Sequence, residues 1–105
     1  MSTAKSEYKC FTFDRSCTVT MKTERFEPTA SGKGWKSKPR ETEVETISAD
    51  FYQNYVRSVP YMTDRNLGAN CRAEWGYTKA GYIPYRVVTI HPFRSLKTVT
   101  TFEFD

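Results

Sequence analysis

The last third of the chain, Cys71 to Asp105, reads CRAEWGYTKAGYIPYRVVTIHPFRSLKTVTTFEFD, and it admits few folds. Cys71, Ala73, Trp75 and Tyr77 alternate with Arg72, Glu74 and Gly76, the period of two that gives a strand an inner and an outer face. Thr78-Lys79-Ala80-Gly81 follows as a tight-turn signal, and a glycine at positive φ after a type I turn makes a common bulged hairpin loop. Tyr82 to Ile90 is apolar on both faces and reads as a central strand. Pro84 has no amide hydrogen for the ladder, so a bulge or an edge segment is expected there. His91-Pro92 ends the run. Leu96 to Phe104 reads as a further strand with Thr98, Thr100, Phe102 and Phe104 on one face. Three sequential antiparallel strands, a meander, account for the stretch. The spacing Leu67, Cys71, Trp75 also permits a short helix over Asp64–Tyr77, but Gly68 and Gly76 count against it.

The rest of the chain supplies partners for that meander. Tyr8–Phe13 reads as a strand with Phe11 and Phe13 on one face. Asp14-Arg15-Ser16 reads as a turn, because Asp and Ser side chains bond their own backbone. In Cys17–Phe26, Cys17, Val19 and Met21 share one face and Thr18, Thr20, Lys22 and Glu24 the other. Glu41–Ile47 alternates three glutamates with Thr42, Val44 and Thr46. Its expected neighbour is the preceding strand, with Lys22 cross-pairing the acids. Ser48 then caps a helix with Asp50 in its first turn. Phe51, Tyr55 and Val59 fall at i, i+4 and i+8 with Tyr52 and Val56 beside them, an apolar stripe along one face, and Pro60 ends it. Residues 61–70 read as a loop.

The expectation is therefore an α+β domain spanning residues 1–105: a curved antiparallel sheet of five to six strands with one helix packed on one face. Only residues 1–6 read as a plain solvated terminus. Composition agrees, since aromatics make up 15% of the chain and it holds only two leucines, Leu67 and Leu96. Rings that each bury on the order of 150–250 Å² substitute for aliphatic bulk.

Chemistry is harder to find. The three cysteines, Cys10, Cys17 and Cys71, form no CxxC pair, and His91 is the single histidine. A zinc site needs three or four converging ligands, and a thiol enzyme needs a base beside its cysteine. The expectation is free thiols, no metal, no cofactor and no catalysis. Glu41, Glu43 and Glu45 lie about 7 Å apart on one strand face and share one environment, so they do not divide into acid and base. Ser31-Gly32-Lys33-Gly34 lacks the flanking strand and helix of a phosphate loop. With no apolar leader after Met1 and no long apolar span, the expected setting is a reducing cytoplasm, away from membranes.

The best candidate contact is the long loop Glu27–Arg40, EPTASGKGWKSKPR. Lys33, Lys36, Lys38 and Arg40 surround Trp35 there. The loop's bases could meet phosphates while Trp35 stacks on a base or fills a partner's pocket. The opposing reading is local neutralisation, because residues 31–40 carry +4 and residues 41–50 carry −4. The rings Tyr52, Tyr55, Tyr61, Trp75, Tyr77, Tyr82 and Tyr85 exceed what such a core needs. With Arg57, Arg65, Arg72 and Arg86 among them, some are expected at a binding surface.

GYTKAGYIPYRVV, followed after a break by KTVTTFEF, resembles small uncharacterised proteins carried by phages and mobile elements of gut bacteria. The resemblance covers Glu74–Phe104 and carries no catalytic residues. It implies an inhibitor of host defence of the anti-CRISPR type: a non-enzymatic protein, in the host cytoplasm, that occupies the surface of a nuclease. Many such inhibitors mimic DNA with an acidic surface, whereas this chain has a net charge of +4. The implied partner is thus a host protein or a protein–nucleic-acid complex, such as an RNA-guided nuclease, gripped through Lys33, Trp35, Lys36, Lys38 and Arg40. The alternatives are a small nucleic-acid-binding domain using Lys33, Lys36, Lys38 and Arg40, and a small enzyme.

Overall fold

Strand alternation and turn chemistry define most of the elements in the computed structural model, which describes residues 12–62, 70–91 and 95–105. They are β1 (Val19–Phe26), β2 (Glu41–Ile47), α1 (Ala49–Met62), β3 (Asn70–Thr78), β4 (Gly81–His91) and β5 (Leu96–Phe104). The five strands form one antiparallel sheet in the order β2-β1-β5-β4-β3. The meander β3-β4-β5 is present, and residues 70–78 are strand. The turn closes as its residues dictate. Gly81 has φ 124°, the Thr78 hydroxyl donates to the Gly81 carbonyl at 2.8 Å, and it accepts from the Ala80 amide at 3.1 Å. The expected irregularity at Pro84 is a register shift: Glu74 pairs with Arg86 but Trp75 with Pro84, which leaves Tyr85 as the extra residue.

Several expectations need correction. The central strand is β5, because β1 docks on its free edge; β4 lies between β5 and β3. Lys22 does not pair the glutamates. It lies opposite Val44, and directly opposed residues share a face. Arg25 takes the role instead, reaching Glu43 at 2.9 Å and Glu41 at 3.5 Å. These exposed pairs contribute about 0.2–1 kcal/mol each and set register more than stability. Helix α1 runs through Pro60 to Met62. Proline forfeits one bond, that of its own amide to the Val56 carbonyl, and near a helix end few bonds depend on it. Within the expected stripe Tyr52, Val56 and Val59 are buried and Tyr55 packs against them, whereas Phe51, expected on its axis, is 48% exposed. Of the strand expected over Tyr8–Phe13, only Thr12 and Phe13 are described, and neither is in a strand. The loop expected at 61–70 lies mostly outside the described residues.

Other local expectations hold. The Asp14 carboxylate accepts from the Ser16 amide at 3.0 Å and its hydroxyl at 2.6 Å, bonds that hold Asp14 below its ordinary carboxylate range. Ser48 caps α1, its Oγ accepting from the Phe51 amide at 3.0 Å. Ser48→Ala leaves that amide without its partner and is expected to cost about 1 kcal/mol. Thermal denaturation should show a fall in Tm of about 4–8 °C; an unchanged Tm would mean that water caps the helix equally well.

Helix α1 covers one face of the sheet. Tyr52 is the centre of the contact, fully buried, with ring centroids 4.9 Å from Phe13, 4.9 Å from Phe102 and 5.1 Å from Phe104. The last two contacts are edge-to-face, the arrangement a ring quadrupole favours. Its hydroxyl donates to the buried Pro84 carbonyl, and burial pushes the phenol far up, so it stays neutral. Tyr55 donates to the Thr100 hydroxyl at 3.3 Å. Val19, Ile83, Val87, Ala80 and Cys71 also belong to this core.

Candidate functional site

The other sheet face follows from register alone. Opposed residues across β1, β5, β4 and β3 form three rows: Lys22, Thr101, Arg86, Glu74; then Glu24, Val99, Val88, Arg72; then Phe26, Lys97, Ile90, Asn70. Val88 and Val99 are 7% and 5% exposed, yet neither belongs to the core under α1. Glu74 is shared by Arg86 at 3.6 Å and Arg72 at 3.7 Å. The Lys97 ammonium lies 5.7 Å from the centre of the Phe26 ring. This face is thus mixed and mildly basic, with apolar residues in the middle of its second and third rows.

The loop between β1 and β2 folds back on itself as a small, bonded hairpin. Pro28 bridges Trp35. The Lys36 amide donates to the Glu27 carbonyl at 2.9 Å, the Thr29 amide to the Gly34 carbonyl at 3.2 Å, and the Gly32 amide to the Thr29 carbonyl at 2.9 Å. Gly32 and Gly34 both adopt positive φ, 76° and 88°, which glycine does without steric cost. The turn therefore needs the glycines that, from sequence, only broke regular structure.

Trp35 is half-buried. It forms one wall of a shallow groove of about 200 Å³ whose other walls are Asn70, Arg72, Val88, Ile90 and Lys97. Those five belong to the second and third rows, so the cavity and the register agree. The loop's four bases divide. Arg40 reaches Glu41 at 3.3 Å and Glu27 at 3.8 Å, and Lys36 reaches Glu27 at 3.9 Å. Lys33 and Lys38 are exposed and take part in none of the described ion pairs. Local neutralisation thus applies to half of the basic cluster.

Sequence reasoning missed Asn70, Arg72, Val88, Ile90 and Lys97 as neighbours of Trp35. They come from three strands, and no local signal connects them to residue 35. Of the surplus rings, Tyr77 and Tyr82 stand out at 91% and 52% exposed. Their ring centroids lie 4.8 Å apart with the planes tilted by 59°, and Trp75 lies 5.8 Å from Tyr82. Tyr52 belongs to the core, and the side chains of Tyr61 and Arg65 lie outside the described residues. Of the described cysteines, Cys17 is half-buried and Cys71 is buried. Partial burial and the nearby Asp14 carboxylate push Cys17 up. Burial pushes Cys71 up, offset in part by the Thr89 hydroxyl that donates to its sulfur at 3.2 Å. A raised thiol is a poor nucleophile at neutral pH. Among the described residues no three His, Cys, Asp or Glu side chains converge as a metal cluster, and no helix is long and apolar enough to cross a membrane. No protein-family model, curated protein or solved structure matches the chain.

Proposed function

We propose that the chain is a non-enzymatic binding protein that inhibits a host defence nuclease by occupying its surface, with the loop Glu27–Arg40 as its contact. The observation that supports this reading is the order of the loop. Backbone bonds and the Pro28–Trp35 bridge fix it before any partner arrives, so little conformational entropy remains to be lost on binding. Lys33 and Lys38 project from it outside the described ion pairs, ready for an acidic or phosphate-bearing surface. The resemblance of the segment Glu74–Phe104 to small phage proteins adds the biological direction, including an RNA-guided nuclease as the class of target.

The test is cleavage by purified RNA-guided nucleases of gut bacteria, with the chain titrated against each. Stoichiometric loss of cleavage by one of them is the expected result. Lys33→Glu with Lys38→Glu should weaken that inhibition by about tenfold or more, since charge-assisted contacts contribute about 1.5–3 kcal/mol each. Undiminished cleavage throughout the panel would overturn the inhibitor reading, and inhibition indifferent to the two substitutions would remove the loop from it.

A further inference from the structure

We infer that the groove between Trp35 and the sheet face opposite α1 is a seat for one nucleobase together with its phosphate. This assignment concerns the floor beneath the loop rather than the loop's outer bases, and it does not rest on the inhibitor reading. Three observations converge on it. First, the groove is about 200 Å³, below the 300–1,000 Å³ of pockets that enclose drug-sized ligands, and so it is matched to a single planar ring system. Second, its walls have the composition that a nucleotide requires. The Trp35 indole offers a stacking surface, Val88 and Ile90 an apolar floor, and the Asn70 amide both a donor and an acceptor for a base edge. Third, the described lining is one-signed in charge: Arg72 and Lys97 stand at the groove, and among the described residues no carboxylate lines it. Arg72 pairs with Glu74 at 3.7 Å, a carboxylate already shared with Arg86. The Lys97 ammonium lies 5.7 Å from the centre of the Phe26 ring and takes part in none of the described ion pairs, so its charge is available to a phosphate.

Geometry also sets the direction of a longer ligand. Asn70, Ile90, Lys97 and Phe26 lie in one row across β3, β4, β5 and β1. A single strand with one base beside Trp35 can therefore continue across that row towards Phe26. Two phosphates held by Arg72 and Lys97 would give a salt slope of roughly −1.4 in log K against log salt, from about −0.7 per phosphate for single strands.

The experiment follows the indole Nε1–H resonances of Trp35 and Trp75 by NMR during titration with thymidine monophosphate and, separately, with a short oligothymidylate at low salt. The expected result is a shift of the Trp35 signal, assigned through Trp35→Phe, while Trp75 stays in place. Response to both probes supports a nucleotide seat filled from solution, and response to the oligonucleotide alone supports one filled from a strand. Lys97→Glu, at a half-buried position, and Arg72→Glu, at an exposed one, should each weaken binding about tenfold or more while leaving the melting temperature close to that of the parent. Lys22→Glu, on the same face but two rows away from Lys97, should change it far less. No shift of the Trp35 signal with either probe overturns the assignment, as does binding that survives both reversals. Capture of a nuclease by a chain that binds no nucleotide would leave the inhibitor reading standing and dismiss this one.

Discussion

Replacing Tyr52 with alanine is expected to destabilise the protein by about 3–5 kcal/mol, the range for removing a large aromatic from a packed core. Tyr52 is fully buried at the junction of α1, β5 and the segment around Phe13. Its ring is the shared partner of Phe13, Phe102 and Phe104, so alanine leaves a cavity that three other rings border and none can fill without leaving its own rotamer. A domain of this size holds about 5–15 kcal/mol in total, so the variant loses a large share of its stability and should unfold at a much lower urea concentration. Tyr52→Phe separates the ring from its hydroxyl. It keeps the packing and strands the buried Pro84 carbonyl, at an expected cost of about 1–3 kcal/mol. Urea denaturation of the three proteins gives both numbers. Equal stability of Tyr52→Phe and the parent would show that the hydrogen bond to Pro84 contributes nothing net. A loss below 1 kcal/mol for Tyr52→Ala would mean that the core is not built on this ring.

From sequence that ring stands beside the axis of the helix's apolar stripe rather than on it, and the reason is physical. Phe51, Tyr55 and Val59 recur at helical spacing, but so do Tyr52, Val56 and Val59, and an apolar arc one residue wider than the contact contains both sets. Only the position of the sheet decides between them. The same limit explains the misplaced central strand. The apolar run of β4 is real, with Ile83 and Val87 fully buried, but which strand is central depends on β1 pairing with β5, a contact of some 80 residues in sequence separation. Local chemistry, by contrast, was legible almost to the residue. The bounds of β2 and β5, the Ser48 cap, the Asp14 turn, the positive φ of Gly81 and the break at Pro84 each depend on side chains within a few positions of one another. The candidate contact divides along the same line. The loop and its bases are a run of sequence and were visible; the groove under Trp35 is assembled from β3, β4 and β5, and no pattern within any one of them points to residue 35.

The bulge at Pro84 has an energetic partner across the ladder, and it yields the second large effect. With Pro84 unable to donate, Tyr85 becomes the extra residue of β4, and its ring lies across Gly76 on β3. A Cβ added at Gly76 would stand 2.8 Å from Cε1 and 3.1 Å from Cδ1 of Tyr85, closer than packed carbons approach. Gly76→Ala is therefore expected to cost about 1–3 kcal/mol by overpacking, although alanine in a strand ordinarily gains about 0.5–1 kcal/mol over glycine. If the ring is the cause, the cost belongs to the pair. In a Tyr85→Ala background the same substitution should be neutral or stabilising, giving a coupling of roughly 1–3 kcal/mol in a double-mutant cycle measured by urea denaturation. Tyr85 is half-buried and leans on the core, so its own truncation carries a separate cost that the cycle subtracts. An identical penalty for Gly76→Ala with and without the Tyr85 ring would instead place the constraint in the β3 backbone, and the bulge would then owe nothing to the glycine opposite it.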